Sequence, residues 1–170
     1  MEKCKIGKGV ILGENVILGD GVVIWNYVVI GKNTKIGDGT RIGSFCDIGR
    51  DVVIGRNCII QAHVTVSNMC KIGNNVFIGP NTSILNDKFP NSEFLTPSII
   101  KDNAIIGGGV IILPNVIVGE NSMVAAGSIV TKDVPPGMVV KGIPARTVMT
   151  KKEYEAKRLE FIRLRKNYQV

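Results

Sequence analysis

The sequence predicts an all-β solenoid, a chain coiled into stacked turns of short strands, with one extruded loop and a C-terminal α-helix. An Ile, Leu or Val stands at every sixth position from residue 6 to 84, and again from 100 to 130. A Gly follows most of these anchor residues, and a small or β-branched residue lies four positions past each. A fixed repeat predicts a repeat architecture, and a period of six fits neither helical heptads nor simple strand alternation.

Two positions of each hexad are predicted to point inward, the anchor and the residue four positions later, as in Ile24 and Val28. Stacked over about twenty hexads, they would form a long, thin core. We expect the Gly after each anchor to supply backbone angles that a corner requires.

If three hexads make one turn, residues eighteen apart stack on one another. An outward column then contains Tyr27, Phe45, His63 and Asn81. Aromatic rings on the outside of a solenoid need a cover. The column therefore predicts a subunit contact, and His63, the single His of the chain, can also line a site at that contact.

The hexads are interrupted once, between Ile84 and Ile100, where residues 86–99 are predicted to form an extruded loop. This segment holds two Pro, two Phe and several polar residues, unlike the hexads around it. Functional residues concentrate on loops that a rigid scaffold positions, so a role for this loop is favoured over a neutral insertion.

The solenoid is predicted to occupy residues 1–149, with prolines at 135 and 136 stopping strand pairing. Residues 150–170 are predicted to form an amphipathic helix that closes the open end. Thr150 and Glu153 have the spacing of a capping box at its start.

The composition is that of one domain of 170 residues, 45% of them hydrophobic, with a net charge of +7. Ten Lys or Arg and four Asp or Glu lie in residues 131–170, which favours a polyanionic partner at that end. Aromatic residues are few and not interleaved with basic ones, so we expect no nucleic acid. The chain has no membrane-length apolar run and no signal-peptide core, so we expect a cytoplasmic protein without a membrane partner.

All four Cys occupy the small inward position of their hexads (Cys4, Cys46, Cys58 and Cys70). A metal or redox site is one interpretation, and packing as small hydrophobic side chains is the favoured one. No CxxC-type ligand spacing is present, so we expect no metal.

The hexads of residues 4–148 resemble those of the hexapeptide-repeat acyltransferases, which implies a left-handed parallel β-helix. Residues 124–135 and 142–146 are similar to the acyl-coenzyme-A-binding members, which work as homotrimers with the cofactor between neighbouring solenoids. The resemblance implies acetyl-CoA as the acyl donor. Small residues would let its pantetheine arm lie close to the backbone, and basic residues would meet its phosphates. The candidate contacts are Gly108, Ala125, Ala126, Lys132, Lys141 and Arg146.

Residues 24–29, 60–66, 79–81 and 86–90 together resemble the N-acetyltransferases that modify amino sugars carried on nucleotide diphosphates. The resemblance implies attack of a sugar amine on the acetyl thioester, with the extruded loop helping to hold the sugar nucleotide. Asn86 would orient the substrate or contact the oxyanion. The thiolate of the departing coenzyme A would be one acceptor for the proton, and His63 would be the next candidate base. Asp87 would be a further base or a partner of the amino group.

The chain departs from these relatives at Asn26 and Val29, where they often carry His, and at Asn91, where they often carry Arg. Three alternatives stay open beside N-acetyl transfer. An O-acetyltransferase of a sugar or other small hydroxyl acceptor usually needs a general base, and the loop begins without a His. A non-enzymatic trimeric scaffold would bind no cofactor, and a zinc carbonic anhydrase needs three His for each metal.

Overall fold

In the computed structural model, residues 3–166 are described, and the chain coils into a parallel β-helix of about eight turns. Each complete coil gives one two-residue strand to each of three sheets, which we name A, B and C. Strands eighteen residues apart pair in register, as Ile24 does with Ile42. Where the loop intervenes, paired residues are 28 positions apart instead of eighteen, as Ile78 and Ile106 are, because the loop inserts ten extra residues. The predicted β-solenoid is confirmed.

Sheet A contains β1 (Lys5–Ile6), β4 (Val23–Ile24), β7 (Arg41–Ile42), β10 (Ile59–Ile60), β13 (Phe77–Ile78), β16 (Ile105–Ile106), β19 (Met123–Val124), β21 (Met138–Gly142) and β22 (Ala145–Thr150). Sheet B contains β2 (Ile11–Leu12), β5 (Val29–Ile30), β8 (Asp47–Ile48), β11 (Thr65–Val66), β14 (Ser83–Ile84), β17 (Ile111–Ile112) and β20 (Ile129–Val130). Sheet C contains β3 (Ile17–Leu18), β6 (Lys35–Ile36), β9 (Val53–Ile54), β12 (Lys71–Ile72), β15 (Ile99–Ile100) and β18 (Ile117–Val118).

The core runs the length of the solenoid and consists of the two predicted inward positions. The anchor Ile24 and its partner Val28 are buried, and the same holds for their equivalents in the later coils. The first coil differs, because its anchors Ile6 and Leu12 lie at the open N-terminal end and are exposed. Cys46, Cys58 and Cys70 pack in the core, and burial raises the pKa of Cys70 to about 11.

The glycine that follows each anchor has a different role from the predicted one. Left-handed backbone angles occur three residues past the anchor, as at Asn33 (φ 59°) and Asn57 (φ 55°), and not at these glycines. A Cβ on Gly31 would clash with the amide nitrogen of Arg50 in the next coil. The expectation about corner angles was therefore wrong, and close approach of successive coils is the reason for glycine.

Gly31→Ala is expected to destabilise the protein by about 1–3 kcal/mol, because the added Cβ must push apart two paired coils. Ser67→Ala is the matched control, since Ser67 holds the same hexad position and already carries a Cβ. Urea unfolding followed by circular dichroism measures both. Equal unfolding midpoints for the two variants would contradict the close-approach explanation.

The C-terminal end is closed by a hairpin that the sequence did not reveal. The prolines at 135 and 136 do not end pairing, because β21 rejoins sheet A beside β19 and then pairs antiparallel with β22. Helix α1 (Lys151–Lys166) follows, and the predicted helical residues 167–170 lie outside the described residues. The capping box is present: the Thr150 N–H donates to Glu153 Oε2 at 2.7 Å, and the Glu153 N–H to Thr150 Oγ1 at 3.2 Å.

Within residues 3–166 no helix is long and apolar enough to cross a membrane, since α1 has 16 residues and many of them are charged.

Candidate functional site

Corner AB, the edge where each sheet A strand turns into sheet B, carries a ladder of stacked rings. The ring centroids of Tyr27 and Phe45 are 5.4 Å apart, and those of Phe45 and His63 are 5.0 Å apart. Both pairs are within 14° of parallel, which confirms the predicted outward column. Three coils therefore present one exposed aromatic edge that ends at the imidazole of His63.

Each of these three rings sits on a left-handed backbone, with φ of 57° at Tyr27, 61° at Phe45 and 58° at His63. At most equivalent positions of the other two corners the residue is Asn, Asp or Gly, which tolerate this conformation. Bulky residues in it cost on the order of 1–3 kcal/mol and tend to mark functional sites. These three bulky residues therefore adopt a left-handed backbone conformation that such residues disfavour.

Beyond His63, corner AB becomes a slot of small residues. The column continues through Asn81 to Gly109 and Gly127, and a Cβ at either glycine would meet nothing within 4 Å. Next to them lie the predicted cofactor contacts Gly108, Ala125 and Ala126. Lys141 stands one coil above, as the residue after Val140, which pairs with Val124.

Two backbone N–H groups of this slot have no acceptor within residues 3–166. At some equivalent positions, an Asn or Asp one coil above accepts this N–H, as Asn68 Oδ1 does from Arg50 at 2.9 Å. Above Gly108 stands Ala126, which has no side-chain acceptor, and above Ala126 stands Gly142. The N–H groups of Gly108 and Ala126 are therefore available to a ligand.

Asn86 and Asp87 lie at a different corner, BC, where sheet B turns into sheet C and where the loop between β14 and β15 begins. Asn86 Nδ2 donates to the Asn68 carbonyl at 3.0 Å, which ties the start of the loop to the coil below. The Asp87 carboxylate accepts the N–H groups of Phe89 and Ser92, both at 3.1 Å. Asp87 thus organises the loop, and one chain does not bring Asn86 or Asp87 to the corner of His63.

The predicted basic contacts are also divided. Lys132 lies at corner BC, in a cavity of about 340 Å³ that Asp87 also lines. It also lines a depression of about 260 Å³ together with Arg146. Arg146 pairs with Lys141 across the β21–β22 hairpin, so the hairpin places these two cations side by side at the C-terminal end.

Sequence reasoning missed an open groove of about 960 Å³ on the outer face of sheet A, beside corner AB. Lys5, Trp25, Arg41 and Gln61 are among its lining residues. The eighteen-residue spacing of the sequence could have indicated this groove. It stacks Lys5, Val23, Arg41 and Ile59, and so places two cations and two apolar residues in one outward row. No cluster of His, Cys, Asp or Glu suited to a metal occurs in the described part of the chain.

Coils, stacked corners and a C-terminal helix together define a repeat protein of the parallel β-helix class. The family described as bacterial transferase hexapeptide (six repeats) matches residues 1–32, 33–68 and 97–132. These segments cover more than half of the sequence, and the chain belongs to this family.

Two curated relatives match parts of the chain. The 2,3,4,5-tetrahydropyridine-2,6-dicarboxylate N-acetyltransferase of Clostridium perfringens (strain SM101 / Type A) is 43% identical over 67 residues, 39% of this chain and 28% of that protein. The galactoside O-acetyltransferase of Escherichia coli (strain K12) is 50% identical over 52 residues, 31% of this chain and 26% of that protein. The chain thus spans less than a third of either relative, and the two differ in the atom acetylated.

Solved structures share the fold at low identity. An AntD N-acyltransferase variant from Bacillus cereus, in complex with dTDP-4-amino-4,6-dideoxyglucose and coenzyme A, superposes with a TM-score of 0.61 at 23% identity, over 94% of this chain and 90% of that one. The acetyltransferase domain of PglB from Neisseria gonorrhoeae gives a TM-score of 0.61 at 21% identity, over 86% and 58%. Both comparisons establish a common fold.

Proposed function

We propose that the protein is an acetyl-CoA-dependent N-acetyltransferase acting on a nucleotide-linked amino sugar. The observation that carries the proposal is the content of corner AB: an exposed imidazole, two available N–H donors and a slot of small residues on one edge. The matched relatives include an N-acetyltransferase, and the structures that share the fold include an N-acyltransferase. Both support acyl-CoA as the donor and acyl transfer to an amine as the reaction. The AntD complex holds a nucleotide-linked amino sugar, which supports the acceptor class.

In the proposed mechanism, the neutral amine of the sugar attacks the carbonyl carbon of the acetyl thioester. The new C–N bond forms as the carbonyl π electrons move onto oxygen, and the N–H group of Gly108 stabilises that oxyanion. His63 accepts the proton that the nitrogen loses. The oxyanion then collapses, the C–S bond breaks, and the coenzyme A thiolate leaves to be protonated.

The acyl donor would lie along the small-residue slot. A pantetheine amide carbonyl can accept from the available N–H group of Ala126, since no side chain shields it. Lys132, Lys141 and Arg146 would meet the phosphates at the C-terminal end, where the charge of residues 131–170 concentrates.

We propose that the protein is a homotrimer, and the separation of the candidate residues supports an assembly in which copies share a site. His63 lies at corner AB and Asn86 at corner BC, so both can border one substrate only if the loop of a second copy packs against corner AB. A second chain there would also cover the exposed rings of Tyr27 and Phe45. Asn86 would then orient the amine in the neighbouring subunit's site.

Ala126→Phe is expected to raise the KM for acetyl-CoA by roughly 30-fold or more, because its ring would fill the slot where the pantetheine arm lies. Ala126 is exposed, so the protein should fold normally. Glu120→Phe is the matched control, at the same hexad position of the same coil but on another corner. Equal KM values for the two variants would place the cofactor elsewhere.

Thiol release from acetyl-CoA tests the reaction, with UDP- and dTDP-linked 3-amino and 4-amino sugars as acceptors and a sugar without the amine as control. Amine-dependent release supports N-acetyl transfer. Release with hydroxyl acceptors alone would support the O-acetyltransferase. Absence of release together with no thermal shift by coenzyme A would support the scaffold.

A further inference from the structure

The outer face of sheet A carries a second recognition surface, which the mechanism above leaves unused. Its groove of about 960 Å³ crosses strands β1, β4, β7 and β10. At corner AB the groove is lined by Asn26, Ser44 and Ala62, each of which immediately precedes one of the stacked rings. The volume is within the range of small-molecule sites. Three kinds of side chain meet in it: cations, one large aromatic ring, and amide or hydroxyl groups.

The cations gather at its N-terminal part. Lys5 and Arg41 flank Val23 in one outward row, and both line the groove. An adjoining depression of about 350 Å³ is lined by Lys3, Lys5 and Arg41. The ion pairs within residues 3–166 involve none of these three cations. Three cations without carboxylate partners suit a diphosphate.

Trp25, the single Trp of the chain, supplies the aromatic surface and is 57% exposed. An exposed indole offers a planar base a stacking partner. Asn26, Ser44 and Gln61 also line the groove. Asn26 Oδ1 accepts the Lys8 N–H at 2.8 Å, which fixes the amide and leaves its Nδ2 group to donate to a ligand.

The groove leads directly to the candidate base. Ala62, the residue before His63, lines one end, and Gly7 lines the other, three coils away. Neighbouring strands lie about 4.8 Å apart, so the groove spans roughly 14 Å. That length accommodates a nucleoside diphosphate whose sugar reaches His63.

We propose that this groove binds the nucleoside diphosphate of the sugar nucleotide, with Arg41 and Lys5 on the diphosphate and Trp25 stacked on the base. The inference rests on the proposed function and extends it to a location and to named residues. Coenzyme A also contains an adenosine diphosphate, but its candidate cations, Lys132, Lys141 and Arg146, lie at the opposite end of the solenoid. The groove is therefore assigned to the acceptor.

Because Trp25 is the single Trp, its fluorescence reports on the groove alone. UDP, dTDP and GDP are titrated into the full chain without any acyl donor, and at least one is expected to quench the emission. Arg41→Gln should weaken that nucleotide's Kd by roughly tenfold. Lys35→Gln is the matched control, since Lys35 starts a sheet C strand as Arg41 starts a sheet A strand. Trp25→Ala, followed by calorimetry, should weaken the Kd by about fivefold or more.

Three results would overturn the assignment. The first is no quenching by any nucleoside diphosphate. The second is quenching by coenzyme A or 3′,5′-ADP that displaces UDP, which would give the groove to the donor. The third is sugar-nucleotide acetylation with an unchanged KM in Arg41→Gln, in which case the proposed function stands without this groove. Conversely, nucleotide binding that Arg41→Gln weakens, in a protein without transferase activity, supports the groove while the proposed function fails.

Discussion

His63→Ala is expected to lower kcat by roughly 100-fold or more while leaving the KM for acetyl-CoA near normal. A general base contributes on the order of 100-fold to 10,000-fold, and His63 is the candidate base of corner AB. The small-residue slot that would hold the donor begins one coil beyond it, so donor binding should not depend on the imidazole. Steady-state thiol release with the preferred amino sugar measures both constants.

His63→Asn separates chemistry from stability. Asn adopts the left-handed backbone readily, so relief of strain at φ 58° offsets the lost stacking on Phe45. The unfolding free energy should stay within about 1 kcal/mol of the parent, yet turnover should fall as far as in the Ala variant. Near-normal kcat in either variant would remove His63 from the mechanism.

Asn86→Ala is expected to lower kcat by roughly tenfold or more, since the amide would orient the amine or contact the oxyanion. Asn68→Ala is the matched control: it removes an inter-coil hydrogen bond, from Arg50 N–H to Asn68 Oδ1, but not the carbonyl that Asn86 contacts. Steady-state turnover of the two variants compares them directly. Equal losses in both would assign Asn86 a structural role.

A mixture of His63→Ala and Asn86→Ala chains should regain activity if neighbouring subunits share each site. Random assembly of equal amounts leaves about a quarter of the sites with both native residues. Co-expression with two affinity tags isolates the mixed oligomers. Activity no higher than the average of the two parents would mean that one chain holds its whole site, which would contradict the proposed sharing between corners.

The hexad period predicted the fold because in a solenoid each residue's environment repeats with the chain. From Ile24 onward, the anchors and the residues four positions later are buried as predicted. The same eighteen-residue spacing predicted the stack of Tyr27, Phe45 and His63. Stacking is local between coils, so sequence spacing alone determines these contacts.

What the spacing did not predict depends on distances between backbones. The glycines after the anchors reflect coils that approach too closely for a Cβ, which no count of residues reveals. The β21–β22 hairpin lies outside the hexads, so the prolines before it suggested an end to pairing where sheet A continues.

The residues proposed for one site lie at two different corners of a single chain. The resemblance to known acetyltransferases indicated His63, Asn86 and Asp87 without indicating at which corner of the solenoid each residue lies. The sequence also could not predict the hydrogen bonds that the Asp87 carboxylate accepts from the loop backbone, because they depend on the conformation of the loop.

The most direct test of the account is mass spectrometry of the sugar nucleotide after incubation with acetyl-CoA, using paired acceptors that differ only in amine or hydroxyl at one sugar carbon. One added acetyl group is expected on the amine-bearing sugar nucleotide, carried as an amide, with the hydroxyl partner unchanged. Acetylation of the hydroxyl partner as an ester, with the amine left unmodified, would contradict it.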